Sequence, residues 1–432
     1  MPERSAVHRL TRPFAALLAV AACSADIADE PASPYLTDAR YRRGVLVASL
    51  VNPGNEYSRL RLAHYATGTS EDWERLPEWN PAVSPIRAGE LEAGNAASLP
   101  LAPEAARALA LPTLSLSDDA SLVALGQEAF ARYPVQLIPA LNVAIASAKA
   151  AQDYGLWVDE PRGVGGLVRV ALPDGSSTLA LTCATCHAVQ RDRQIEDGAP
   201  NASFDLGRIL LAADDTDPVV ADALSIWGAG RVDVSTGDGS EPQRIPDLRP
   251  VRWLSHLHQD ATVSLDNRDA LAIRIETLII TSSAQVLRPP RIVALALARY
   301  LESLADKLPG QPPSTLPGAA IFARVCSSCH APPSFTGPPV ALALVATDPE
   351  LGQSRDRGTG AYRVPSLHGV ATRGPLLHDA SIPSIEALFD PQRVSEGWTG
   401  RLHGHGPVPG HLYGLSFSDA ERGDLIRYLR RL

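Results

Sequence analysis

Cys183-Ala-Thr-Cys186-His187 and Cys326-Ser-Ser-Cys329-His330 are the two stretches on which the reading of this chain turns. In a helical turn this spacing sets two thiols side by side and aims the next side chain, an imidazole, at the same point. Two vinyl groups of a haem can add the thiols while the imidazole binds the iron. A structural zinc is one rival, because two Cys-x-x-Cys pairs can supply a tetrahedral thiolate set. These pairs, however, lie 140 residues apart, and each runs directly into histidine. A dithiol redox site is the other rival, and nothing in that chemistry asks for histidine after the second thiol. The motif occurs twice, so the sequence implies two covalently bound haem c groups on Cys183, Cys186, Cys326 and Cys329, with His187 and His330 as proximal iron ligands.

Working outward, the surroundings of the two motifs repeat. Gly126-Gln-Glu-Ala-Phe130-Ala-Arg132 matches Gly318-Ala-Ala-Ile-Phe322-Ala-Arg324, and Ile245-Pro246-Asp247-Leu248 matches Val364-Pro365-Ser366-Leu367. His258-Gln259-Asp260-Ala261 matches Leu377-His378-Asp379-Ala380, and Arg299-Tyr300-Leu301 matches Arg427-Tyr428-Leu429. A mainly α fold follows, with two cytochrome c-like haem domains in tandem, at 116–307 and 318–432, joined by a Pro- and Gly-rich linker at 308–317. Phe322 to Cys326 is four residues and Phe130 to Cys183 is 53, so the first copy carries 49 extra residues, within 134–182. The first part of that insertion, Val135 to Gln152, is Ala-rich and predicts helix. Leu167–Leu172 and Ser177–Leu181 around Pro173-Asp174-Gly175 predict a hairpin. Ahead of both copies, 35–115 is expected to be a small β-containing module of unknown role, with Arg43–Leu50 and Ser58–His64 paired across Asn52-Pro-Gly-Asn55.

The first 22 residues read as an export signal: Arg4, Arg9 and Arg12 lead into an apolar run, Phe14 to Ala22, too short to span a bilayer. Val20-Ala21-Ala22-Cys23 resembles a lipobox, which makes Cys23 a lipidation site and 23–34 a tether. A plain signal peptide with Cys23 incidental is the alternative. Both put the protein on the periplasmic side of a bacterial cell envelope, and the first ties it to a membrane. The net charge of -9 removes the electrostatic basis for nucleic-acid binding. Partners are expected to be a redox protein or a small electron donor or acceptor.

The second axial position decides whether an iron only relays electrons or also meets a substrate. Met1 is the sole methionine, so methionine ligation is excluded. His378, ahead of the last helix, is the candidate for the second haem and His258 for the first. His403, His405 and His411 form a Gly-rich group that could be a loop, a metal site or a rival ligand; it is read as a loop, because Gly-flanked histidines lack rigid support.

Arg363-Val-Pro-Ser-Leu-His-Gly-Val370, followed by Gly374-Pro-Leu-Leu-His-Asp379, resembles the bacterial di-haem cytochrome c peroxidases and their MauG-type and rubber-oxygenase relatives. The resemblance covers about 116–432. It implies one haem that exchanges electrons and another that meets peroxide or oxygen. Where the family's peroxidases carry Trp-Asp-Gly-Arg, this chain reads Gln259-Asp260-Ala261-Thr262. Glu276 is the candidate acid/base for O–O cleavage, and a bound calcium is left open. The sequence therefore implies a di-haem electron-transfer cytochrome, with a peroxide- or oxygen-activating oxidoreductase as the alternative.

Overall fold

A computed structural model of the chain describes residues 33–432, apart from 95, 97–98, 100, 102–105, 113–117, 214–216 and 234–238. The export signal, the lipidation site Cys23 and the boundary set at 115/116 lie outside the described residues.

The hairpin expected near the N-terminus is a pair of helices, Ala39–Ser49 and Glu56–His64. Asp38 accepts hydrogen bonds from the backbone N–H of Arg40 and Tyr41, and Asn55 accepts one from Ser58, so each helix has its N-cap. Arg42, Val45, Leu46 and Ser49 are the buried positions of the first. That spacing is helical, and it is hidden in the sequence because its two ends are polar. These helices build no core of their own. Tyr35, Leu46, Tyr57 and Tyr65 pack into one cluster with Phe130, Ala296 and Tyr300 of the first repeat.

The strand content of this region is Val83–Pro85, which joins the insertion in a four-stranded antiparallel sheet. Val168–Ala171 and Ser177–Leu181 pair across the expected turn, Val83–Pro85 flanks one side and Gln136–Leu137 the other. The helix expected over 135–152 shrinks to Ala148–Asp153, preceded by a 3-10 segment at Pro139–Val143. Pro134 and Pro139 explain the loss, since proline has no N–H to give a helix interior.

Two helix crossings carry the cysteine motifs. Asp119–Arg132 packs on Arg291–Ser303, and Pro317–Val325 packs on Asp419–Leu429. Both crossings close on glycine. A Cβ on Gly126 would run into the Ala296 carbonyl and Tyr300 Cβ, and one on Gly318 into the Asp424 carbonyl and Tyr428 Cβ. Beside each glycine a pair of aromatic rings locks the crossing: Phe130 and Tyr300 with centroids 5.5 Å apart, Phe322 and Tyr428 with centroids 5.2 Å apart. The second crossing has a core of its own around Phe322, Phe335, Leu425 and Tyr428. The linker set at 308–317 ends one residue early, because Pro317 already opens its helix. Among the described residues no helix is long and apolar enough to cross a membrane.

Candidate functional site

Helix Pro317–Val325 delivers Cys326 as its C-cap, and the backbone N–H of Cys329 and of His330 both fold back onto the Cys326 carbonyl. That turn fixes two thiols and an imidazole on one wall. His330 Nδ1 lies 3.2 Å from the Phe335 carbonyl, with the Pro365 carbonyl also beside it. A carbonyl can only accept, so Nδ1 carries the proton and Nε2 keeps its lone pair for a metal. Burial, reinforced by His411 nearby, pushes His330 down to about 4, and the ring is neutral at physiological pH. The thiols and His330 line a cavity of about 170 Å³, partly open to solvent, with Val340, Val345, Leu376, Ile385 and Phe389 among its apolar walls.

Two further histidines face the same cavity, His378 and His411. His378 stacks on Tyr362 at 4.3 Å, and its Nε2 is 3.3 Å from the Tyr362 oxygen. That oxygen donates to the Asp348 carbonyl at 2.5 Å, so the His378 nitrogen facing it is the donor. His411 lies in a loop, as the sequence implies, but the loop has rigid support. The fully buried Arg393 donates to the carbonyls of Val408 at 2.5 Å, Gly410 at 2.8 Å and His411 at 2.8 Å. The His411 N–H donates to the Val345 carbonyl at 2.7 Å. Its Nδ1 is buried without a hydrogen-bond partner, and burial lowers its pKa to about 4. The signal missed in the sequence was one arginine, 18 residues upstream of the histidine it supports.

The first motif repeats the proximal half of this arrangement. Thr182 and Thr185 form a capping box that starts the short helix Cys183–His187. His187 Nδ1 sits 3.0 Å from the carbonyl of Pro246, the counterpart of Pro365, and burial pushes this ring down to about 4. Burial pushes the Cys183 and Cys186 thiols up to about 12 and Cys326 up to about 11. Reactive dithiol centres need the opposite shift. Among the described residues no three His, Cys, Asp or Glu side chains gather as a metal site, so the two thiol pairs do not meet in a zinc centre. The same holds for a calcium site built on carboxylates.

The two halves grip each other through the repeated motif. The Arg244 N–H donates to the His378 carbonyl at 2.9 Å, and the Arg363 N–H donates to the Gln259 carbonyl at 2.9 Å. The backbone confirms this register: His258 and Ala261 have positive φ, as do Leu377 and Ala380. Gln259, then, stands where His378 stands in the second half. His258 is one residue off, and its Nε2 accepts a hydrogen bond of 2.6 Å from Arg274 Nε. Its placement as the counterpart of a ligand is therefore corrected. Glu276 is buried in the first core, where Tyr35 and Tyr65 donate to it at 2.8 and 2.6 Å and Arg291 approaches at 3.4 Å. A carboxylate tied to three partners is a structural knot, which leaves no acid/base of the kind expected there.

No protein-family model and no curated protein matches the chain. Among solved structures it is similar to the crystal structure of the diheme peroxidase BthA from Burkholderia thailandensis, at 18% identity and a TM-score of 0.35, covering 77% of this chain and 89% of that one. A likeness at that level carries no argument, and the functional reading rests on the residues.

Proposed function

We propose that this chain is a di-haem c-type cytochrome of the bacterial cell envelope that transfers electrons, each half acting as a cytochrome c-like haem domain. The observation that carries the reading is the recurrent proximal arrangement: a thiol pair, the adjoining histidine, and a carbonyl from a repeated Pro-x-Leu motif that leaves Nε2 as the metal-binding nitrogen. The residues fit the group, because the second cavity pairs an apolar wall with two thiols and an imidazole on one side. A bound haem supplies a one-electron iron couple. The chain's own part is to fix His187 and His330 in one tautomer, to exclude water with the aliphatic walls, and to present a second imidazole in the second half.

His411 suits that second position best, since its loop is clamped by Arg393 and one ring nitrogen is unpartnered, whereas His378 already bonds Tyr362. Oxidised and reduced spectra with carbon monoxide test the reading. Thioether-bound haem that survives acid extraction, with a low-spin signal lost in His411→Ala and kept in His378→Ala, is the expected result. A colourless purified protein would end the proposal.

The alternative, a peroxide- or oxygen-activating enzyme, is favoured by one observation. Gln259 occupies in the first half the place that His378 occupies in the second, so the first half lacks an imidazole at that register. Cyanide binding at one iron and peroxide turnover with a reduced donor would support it.

A further inference from the structure

Where the N-terminal helices and the two halves meet, several arginines are buried around His258. Arg61, Arg357 and Arg363 are 3%, 1% and 7% exposed. Arg274 joins them from helix Ala270–Ser282, beside His258. The ion pairs formed here are long, with Arg357 Nη2 3.8 Å from Asp233 and its Nε 3.7 Å from Asp260, and Glu241 lies in the same charge cluster. Arg61 is spent on Thr277 at 3.2 Å, on the Tyr57 carbonyl at 3.0 Å and on the face of the Tyr57 ring.

What remains is a group of buried N–H donors without hydrogen bonds among the described residues, beside an Asp260 Oδ2 that also lacks one. Arg357 Nε and Nη2, Arg274 Nη1, Arg363 Nε and His258 Nδ1 all lack a hydrogen-bond partner. His258 Nδ1 is a donor because Nε2 already accepts from Arg274. Asp233, Asp260 and Glu241 balance part of this charge, but the donors named above are left without hydrogen bonds at depths where that is disfavoured. A planar oxyanion matches such a fork of donors in charge and in shape.

We infer that this seam is a binding site for a carboxylate or similar oxyanion, held by Arg274, Arg357, Arg363 and His258. Two sources share that chemistry. One is a propionate of a bound haem, since Arg363, Arg244 and Arg373 also line the cavity behind Cys326 and His330; this source rests on the proposed function. The other is a free anion such as phosphate or acetate, which does not.

The test uses the purified full chain as isolated, with Arg357→Met and the gentler Arg274→Gln, in denaturant melts and potentiometry. For a propionate, both variants melt at lower denaturant, one of the two haem potentials shifts down, and added phosphate or acetate changes nothing. For a free anion, phosphate or acetate raises the wild-type midpoint saturably, and the variants lose that response. Variants as stable as wild type, with unchanged potentials and no anion response, would overturn the site, because relief of a truly empty cationic cluster should stabilise the fold. Should the protein carry no haem, the proposed function fails on its own. The wild-type anion titration still decides the site, a saturable rise supporting it and a flat response rejecting it.

Discussion

The two halves share a frame and differ in what faces its open side. Gly126 and Gly318 let matching helices cross, and Pro246 and Pro365 set matching carbonyls behind His187 and His330. His378 and His411 line the same cavity as His330, but the equivalent of His378 in the first half is Gln259. The motif residue after proline differs too. Asp247 is a buried hub that bonds Arg249 at 2.9 and 2.7 Å and meets Arg373 of the other half at 3.3 Å, while Ser366 donates to the Ser334 carbonyl at 2.7 Å and accepts from the His368 N–H at 3.3 Å. A proximal wall tolerates little change because it must hold one nitrogen in one direction. The opposite wall is where two copies can diverge.

The sharpest way to break this comparison is to remove each thiol pair. Cys183→Ala with Cys186→Ala, and Cys326→Ala with Cys329→Ala, are each expected to lower the mass of the purified chain by one haem. Unchanged mass in either variant would deny that half its attachment site. Next in size, Asp247→Asn strips a buried ion-pair hub and is expected to cost about 4 kcal/mol at pH 7 in urea melts. Despite the opposing cost of burial, Arg249 and Arg373 hold the Asp247 carboxyl below its usual range. Its stabilisation is therefore present above the unfolded value of about 4 and is lost as pH falls through the lower folded value. The gap between wild type and variant should shrink as melts are moved below pH 4, and a constant gap would rule out the ionised hub. Gly126→Ala and Gly318→Ala should each cost about 3 kcal/mol by overpacking backbone, and a large inequality between them would mean the crossings are not equivalent. Ser366→Ala, at the position matching Asp247, is expected to cost about 1 kcal/mol.

Much of the frame was legible because short-range rules wrote it. Phe130 and Phe322 sit four residues after their glycines, and the hairpin around Pro173-Asp174-Gly175 alternates as a strand pair should. The errors share a cause, which is dependence on distant partners. Val45 and Leu46 read as strand because the buried face of their helix ends in Arg42 and Ser49, and Arg42 is buried through its bonds to Glu74 and to the Tyr35 carbonyl. His411 looked unsupported because its clamp, Arg393, belongs to a different segment. His258 looked like a ligand because it lies beside the right residue; the sequence match already pairs Gln259 with His378, and the positive-φ pairs agree with it. Glu276 was plausible as an acid until Tyr35 and Tyr65, more than 200 positions earlier, were seen to hold it.

The reciprocal bonds from Arg244 to His378 and from Arg363 to Gln259 have the i-to-j, j-to-i form of an isologous contact between identical subunits. Two separate copies of one half, paired about a two-fold axis, could make both bonds. In that light the segment 308–317 adds proximity and no new contact of this kind, and two fragments cut there should still find each other.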